Sequence, residues 1–508
     1  MVKNPTIRLD ANDNVVVARE EIPKGVEIEA EGITSLQDIP LGHKLATQPI
    51  KKGDPVLKYD TIIGFAGEDI EPGTWMHSHN VLMDSFAKDY RHGQDYRPTE
   101  ILPPDERASF MGIRRADGRV GTRNCIGIFI TVNCSATVAR RIANYFDEER
   151  LADYPNVDAV VPFVHEQGCG MEMTGEPMDL LRRTLSGYIR HPNIAGALVC
   201  SLGCERNNLQ QFFETEGLKT GKSIRTITMQ ETGGTAAAIE AGKQAIREML
   251  NEANAVTRKP CSAEHIMVGL QCGGSDGFSG LSANPALGKA VDILVRNGGT
   301  AILSETPELY GVEHTLTARA RTPEIGQKFV DRFTWWLEEY NKGKDTQING
   351  KVSPGNNAGG IANIIEKALG GAKKGGSSGV NEVYLYAEPV KEHGLVIMDT
   401  PGYDPVSATG QIAGGANLIC FTTGRGSCFG SYPAPTIKLA SNTPMFQRMR
   451  GDMDINCGTV IDGDATLDEM GEEIFQRFLD IASGVKSKSE ELGVGEDEFI
   501  PWPIGALG

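Results

Sequence analysis

Three short apolar runs, Ile126 to Val132, Ala159 to Val164 and Ala197 to Leu202, each stop abruptly in a polar turn that carries a cysteine. The turns read Asn133-Cys134-Ser135, His165-Glu166-Gln167-Gly168-Cys169-Gly170 and Gly203-Cys204-Glu205-Arg206-Asn207. A helical pattern over Ala136 to Phe146 follows the first run. Short β-branched runs alternating with helices indicate a parallel sheet, because parallel neighbours need a crossover that is usually a helix. Ligands of such sheets bind beyond the carboxyl ends of the strands. The three cysteine turns are therefore expected to meet along one edge.

The pattern resumes further on. Ile266 to Leu270 feeds Gln271-Cys272-Gly273-Gly274-Ser275-Asp276-Gly277-Phe278-Ser279-Gly280, followed by Ala283-Asn284-Pro285. Four glycines in ten residues exclude a helix interior, where each costs about 1 kcal/mol. The run has too little apolar surface for a core strand, so it reads as a loop that brings a thiol, hydroxyls and a carboxylate close to something bound. Ala301 to Leu303 then feeds Ser304-Glu305-Thr306-Pro307, and helices are expected over Gln327 to Asn341 and Ile361 to Ala368. Ser353-Pro354-Gly355-Asn356 and Thr422-Thr423-Gly424-Arg425-Gly426 are further turns with polar side chains.

Before these α/β segments, residues 1–83 hold short apolar runs such as Val15 to Ala18, separated by Pro-Lys-Gly and Lys-Lys-Gly turn signals, and read as a small β domain. Residues 84–110 are charged and Pro-containing, a linker. The polar segment Asn251 to Ser262 marks another boundary, giving α/β domains over 111–255 and 256–508.

The chain has 508 residues, 40% hydrophobic and 23% charged, with a net charge of −17. That charge argues against nucleic acid and anionic membranes as partners, though local cations can still bind a small anion. No run of 18 apolar residues predicts a membrane span, and Met1 to Asn14 lacks the apolar core of a signal peptide. A cytoplasmic protein is expected. No Walker loop, G-x-G-x-x-G opening a helix after a strand, or G-x-S-x-G elbow is present, which steers away from kinases, nucleotide-dependent dehydrogenases and common hydrolases.

Ten cysteines in a reducing compartment are either small core residues or ligands. Cys134, Cys169, Cys204 and Cys272 sit where apolar runs give way to turns, and they suggest a metal. Three cysteines from separate turns suit a [4Fe–4S] cluster with one open iron; the alternative is small side chains at tight turns. His165, Glu166 and Glu205 offer other ligands. His77 and His79, two apart on an extended segment, face one way and suit a shared metal or carboxylate. Arg425 and Arg123, in Gly121-Thr122-Arg123-Asn124, suit a carboxylate or simply solvate their turns.

Gly118-Arg119-Val120-Gly121-Thr122-Arg123-Asn124, Gly203-Cys204-Glu205, Gln271-Cys272-Gly273-Gly274-Ser275-Asp276, Ser353-Pro354-Gly355-Asn356 and Thr423-Gly424-Arg425-Gly426 occur in this order. In these motifs the chain resembles the altronate and galactarate dehydratases, a family that includes sulfolactate sulfo-lyase. His77-Ser78-His79-Asn80 is more similar to the altronate branch. The resemblance implies an α/β fold, with a small N-terminal β-clip domain of the SAF type followed by two α/β domains with largely parallel sheets. It implies a hydro-lyase that converts an aldonate or aldarate to a 2-keto-3-deoxy acid. Fe²⁺ is the implied cofactor, with Mn²⁺ or a [4Fe–4S] cluster as alternatives. Carbon–sulfur elimination and non-catalytic sugar-acid binding are rival readings. The partners expected are a small anionic sugar acid and a second copy in a homodimer.

Elimination next to a carboxylate needs a base at C2, an acid at the departing hydroxyl and neutralisation of the developing charge. Catalytic candidates are His165, Asp276, Glu166 and Glu305. Substrate-binding candidates are His77, His79, Arg123, Ser275, Asn284, Asn356 and Arg425. Cys134, Cys169, Cys204 and Cys272 are the metal-ligand candidates.

Overall fold

The computed structural model describes residues 4–84, 90–342, 344 and 352–505. Near the N-terminus, Thr6–Ile7, Val15–Ala18, Lys44–Ala46 and Trp75–Met76 form an antiparallel sheet, beside a second made by Pro55–Lys58, Thr61–Ala66 and Val81–Leu82. Its turns fall at Gly25 and Gly53, both at φ +87°, a conformation glycine adopts without steric cost. Val16, Ile22, Ile28 and Leu45 form its interior.

Of the expected linker, residues 85–89 lie outside the described residues. Its end is a strand: Ser109–Arg114 pairs antiparallel with Lys259–Ser262. The polar boundary at Asn251 to Ser262 therefore finishes in a strand, because ladder hydrogen bonds come from backbone and need no apolar pattern.

The middle domain is a parallel sheet of β1 (Cys125–Ile130), β2 (Ala159–Phe163), β3 (Ile194–Ser201) and β4 (Ile224–Thr228) in the order β2-β1-β3-β4. The C-terminal domain is a seven-stranded parallel sheet. Its strands are β5 (Met267–Cys272), β6 (Thr300–Leu303), β7 (Val380–Tyr384), β8 (Gly394–Met398), β9 (Leu418–Thr423), β10 (Thr436–Ala440) and β11 (Ile455–Asn456), in the order β7-β8-β6-β5-β9-β10-β11. The fold is thus α/β with a SAF-type β domain and two parallel sheets. One apolar cluster joins the two sheets, from Phe163 and Tyr188 to Ile302, Phe421 and Trp502. Burying side chains of this size contributes about 1.5–3 kcal/mol each.

Two helices differ from expectation at their starts. Pro323–Trp335 begins early because the Thr322 side chain caps it at Ile325 N, and it ends in a π-helical turn over Trp336–Tyr340. Ile364–Ala372 begins late because Asn363 is its N-cap, accepting from Glu366 N.

The small domain docks on the C-terminal one through buried charge. Glu366 accepts hydrogen bonds from Lys44 Nζ at 2.9 Å and Lys58 Nζ at 2.8 Å. Tyr59 Oη donates to Gly280 O at 2.7 Å, and Asn357 Nδ2 donates to Ser78 Oγ at 3.1 Å. Backbone meets backbone here too: a Cβ on Gly277 would come within 2.0 Å of Gly42 O, and one on Gly360 within 2.6 Å of the same atom.

Candidate active site

The order of the large sheet reverses direction at β5. The chain moves from β5 through β6 to one side and returns as β9 on the other. The crevice beyond the carboxyl ends at such a reversal is the usual ligand position in open α/β sheets. Cys272 ends β5, Glu305 follows β6, Asp404 lies beyond β8, and Arg425 follows β9.

A cluster of ionisable side chains fills that end of the sheet. Lys374 Nζ lies 3.0 Å from Cys272 Sγ and 3.3 Å from Glu305 Oε2. Lys367 Nζ donates to Glu308 Oε1 at 2.6 Å. Glu305 and Cys272 are 1% and 4% exposed, so these charges interact through protein rather than solvent. Asp404 sits against the loop after β5: a Cβ on Gly273 would come within 2.4 Å of its Oδ2, so that close approach depends on glycine. Gly274 and Arg425 border the cluster and are exposed.

The electrostatics divide the groups. Burial raises the Glu305 carboxyl to about 8, with Lys374 opposing and Glu308 and Asp404 adding to the rise. Burial, aided by Glu308, also raises Asp404. Lys367, Lys374 and the Glu305 side chain oppose that rise at Asp404. Burial pushes the Cys272 thiol up to about 11, against the pull of Lys374. Lys374 is raised despite its burial, chiefly by Cys272 and then Glu305. Lys367 is raised in the same way, chiefly by Glu308. Glu305 holds a left-handed backbone at φ +66° and ψ +56°, which costs a non-glycine residue about 1–3 kcal/mol. Its backbone N–H donates to Thr400 Oγ1, and this contact helps fix the turn.

One ligand atom each from Cys272, Glu305 and Glu308 lies within 4.8 Å of the others, close enough to share a metal ion. In this structure Lys374 and Lys367 already stand against those groups and supply the positive charge. Each ammonium engages one oxygen of its carboxyl, while Glu305 Oε1 and Glu308 Oε2 are buried without a hydrogen-bond partner among the described residues, so the residues present fit a shared ion beside the lysines.

Other expected residues are placed differently. Asp276 pins its own loop. Its Oδ1 accepts from Ser279 N at 2.9 Å and from the hydroxyls of Ser279 and Ser441 at 2.8 Å, and its Oδ2 accepts from Asn442 Nδ2 at 2.9 Å. With its lone pairs engaged in this way, Asp276 is a loop-holding carboxylate rather than a proton carrier. His165 Nε2 lies 2.9 Å from Ile130 O, and its Nδ1 accepts from Gln167 N at 3.1 Å. Burial lowers it to about 4, so it is neutral and held by backbone, which removes it as a proton shuttle. Glu166 beside it is exposed.

Arg123 has all five donors engaged, two on Glu490 and three on the carbonyls of Thr122, Ile481 and Val485. None is left for a substrate. Asn356 Nδ2 donates to Ser275 O, and Asn284 bridges Gly370 O and Thr422 Oγ1, so Ser275, Asn284 and Asn356 hold the loop wall together. His77 is buried in an aromatic group with His43 and Trp75, while His79 is exposed against Trp75. Cys272 belongs with Glu305 and Glu308. Cys134, Cys169 and Cys204 lie on the other sheet, beyond β1, β2 and β3.

No sequence motif singles out Glu308, Lys374, Asp404 or Lys367. Glu308 follows Glu305 by three residues, and Lys374 lies in Gly370-Gly371-Ala372-Lys373-Lys374-Gly375, an unusually small-residue setting for a lysine. Those were the available signals.

Comparison with known proteins covers the whole arrangement. A model described as the altronate/galactarate dehydratase SAF domain matches residues 4–84. One for the D-galactarate dehydratase/altronate hydrolase second domain matches residues 112–254, and one for the D-galactarate/altronate dehydratase C-terminal region matches residues 263–507. The chain is 34% identical to altronate dehydratase of Bacillus subtilis (strain 168), over 94% of this chain and 95% of that protein. It is 34% identical to altronate dehydratase of Escherichia coli (strain K12), over 95% and 96%. It is 36% identical to galactarate dehydratase (L-threo-forming) of Escherichia coli (strain K12), over 98% and 95%.

Proposed function

The chain belongs to the altronate/galactarate dehydratase family and is a sugar-acid hydro-lyase, and we propose that Glu305, Asp404, Lys374 and Lys367 carry its chemistry. The substrate is a small aldonate or aldarate and the product its 2-keto-3-deoxy acid. In the elimination, the C2 proton leaves to a base, the C3 hydroxyl departs as water after receiving a proton, and the resulting enol tautomerises to the ketone. Each turnover thus needs one group that takes a proton and one that gives one.

The observation that supports this assignment is the pair of buried carboxyls, Glu305 and Asp404, both raised by burial, beside the ammonium groups of Lys374 and Lys367. Two carboxyls that cannot both ionise supply a base and an acid near neutral pH, the arrangement that lets one site run both halves of an elimination. Lys374 and Lys367 place fixed positive charge where the substrate carboxylate gains negative charge as the C2 proton leaves. Gly273 and Gly274 leave backbone room for the acid to approach, and Arg425 at the rim suits its carboxylate. Iron or manganese, implied by the resemblance, would supply Lewis-acid stabilisation. Cys272, Glu305 and Glu308 are the residues that would hold it.

The test is a screen of aldonates and aldarates, with anaerobically purified protein, for release of 2-keto-3-deoxy acid. Turnover with one of them, reduced about 10²-fold or more in Glu305→Gln with the fold intact, is expected. Full activity of Glu305→Gln would remove the residue from the mechanism, and no turnover with any acid would overturn the substrate class.

A further inference from the structure

We propose that Thr400 and Ser407 are positioning residues for the elimination. Their hydroxyls form a bridge that fixes the backbone of Glu305 against the helix carrying Asp404, and Gln271 and Gln411 hold that bridge in place. The inference rests on the assignment of Glu305 and Asp404 to the proton transfers.

The two carboxyls come from different elements. Glu305 follows β6 in a left-handed turn, which a non-glycine residue keeps only where its surroundings enforce it. Asp404 opens the helix Asp404–Ala413, which comes after β8. Thr400 lies between β8 and that helix and grips the Glu305 turn at two points. Its Oγ1 accepts from Glu305 N at 2.9 Å, and its backbone oxygen accepts from Thr306 N at 3.1 Å. Asp399 adds a third hold, with Oδ1 accepting from Thr306 Oγ1 at 2.6 Å. Trp336 Nε1 and Arg332 Nε fix Asp399 in turn, at 2.8 Å and 2.6 Å.

The bridge runs on from Thr400. Its Oγ1 lies 2.7 Å from Ser407 Oγ, one helical turn past Asp404. Residues 404, 407 and 411 share one face of the helix. Gln271, near the end of β5, donates through Nε2 to Ser407 Oγ and to Gln411 Oε1, both at 2.8 Å. Gln411 Nε2 donates to Ser304 Oγ at 2.9 Å and Ile302 O at 3.0 Å, which returns the network to β6 just before Glu305. One proton order satisfies both hydroxyls. Ser407 accepts from Gln271 and donates to Thr400, which accepts from Ser407 and Glu305 N and donates to Pro401 O at 3.3 Å. Gly269, on the same face of β5 as Gln271, makes room, since a Cβ there would come within 2.4 Å of Gln411 Oε1.

Docking of the helix on the sheet explains this network less well. Gln271, Thr400, Ser407 and Gln411 are all 0% exposed, and apolar side chains would fill the same space without burying polar groups. Gln271 Oε1 is buried and accepts no hydrogen bond among the described residues, at a cost of about 1–3 kcal/mol. A network kept at that cost ends on the strained residue whose carboxyl takes part in the reaction. A displacement of about 1 Å in a reacting group is enough to slow a reaction about 10²-fold.

The test uses the full-length protein with altronate and galactarate as substrates. Thr400→Val keeps the branched shape and removes the hydroxyl, and Ser407→Ala is the second variant should the first not fold. Each is expected to lower kcat about 10–10²-fold with KM within about twofold of the parent value. Thr400→Ser restores the hydroxyl and should stay within about threefold of the parent kcat. In a Glu305→Gln background Thr400→Val should add little, because both changes act through one residue. A parent-like kcat in Thr400→Val, an equal loss in Thr400→Ser, or losses that multiply in the double variant would overturn the proposal. Parent-like Thr400→Val beside an inactive Glu305→Gln sinks the bridge alone, whereas a fully active Glu305→Gln sinks the Glu305 assignment as well. A crystal structure of Thr400→Val reads the bridge without turnover: Glu305 should leave its left-handed conformation, and an unmoved Glu305 would overturn the proposal whichever acid is the substrate.

Discussion

The ammonium of Lys374 lies 3.0 Å from the sulfur of Cys272, beneath the loop that closes the large sheet. Buried lysines of this kind are held by their partners. Removing the ammonium leaves Glu305 and Cys272 without the charge that opposes their upward shifts. Lys374→Met should lower kcat about 10²–10³-fold, since it deletes preorganised charge at the reacting carboxylate. Steady-state kinetics checks this, and a change in KM alone would place Lys374 in uniform binding instead.

The Glu305 and Asp404 pair gives a pH prediction. Both carboxyls are raised by burial, so the folded state favours their protonated forms. The stability this contributes is complete below the ordinary carboxylate range and declines as pH rises through about 8 for Glu305. Thermal melts across that range should show a falling Tm that flattens in Glu305→Gln. The pH dependence of kcat/KM should have two limbs set by the pair, and Asp404→Asn should remove one of them.

Glu366 behaves in the opposite sense. Burial alone would raise it, but Lys44 and Lys58 hold it well below the usual carboxylate range. The stability it contributes is present above the ordinary glutamate value and is lost as pH falls below it. Acid should therefore loosen the small domain first. Glu366→Ala should cost about 3–5 kcal/mol by leaving two buried ammonium groups unpaired. Limited proteolysis that releases the first domain sooner in the variant would show this, and an unchanged digestion pattern would refute it.

Arg123 separates a structural from a binding role. Arg123→Lys keeps the charge but loses the planar fork that reaches Glu490 and three carbonyls at once. A loss of about 1–3 kcal/mol of stability with an unchanged KM is expected. A raised KM at full stability would return Arg123 to the substrate.

The parallel sheets were legible because β-branched runs such as Ile126 to Ile130 alternate with helices, and this period survives in one dimension. Cys272 and Glu305 were legible as reactive side chains at strand ends. Their lysine partners were not, because Lys374 approaches from a separate segment about a hundred residues away and nothing local marks it as buried. Asp276 and His165 misled for a related reason. Sequence shows that a side chain is ionisable, but not that Ser441, Asn442 or Ile130 O, all distant in the chain, already occupy its hydrogen-bonding atoms.

Gly42, Gly277 and Gly360 come from three far-apart segments and meet with only backbone between them. A methyl group at either of the last two positions collides with the same carbonyl oxygen. A saturation scan should therefore show Gly277 and Gly360 as intolerant sites whose damage no second side-chain change repairs. The lysine–glutamate clamp beside them should tolerate compensating swaps. The seam between these domains is thus guarded by the absence of side chains, and drift in surface chemistry leaves it alone until a glycine is lost.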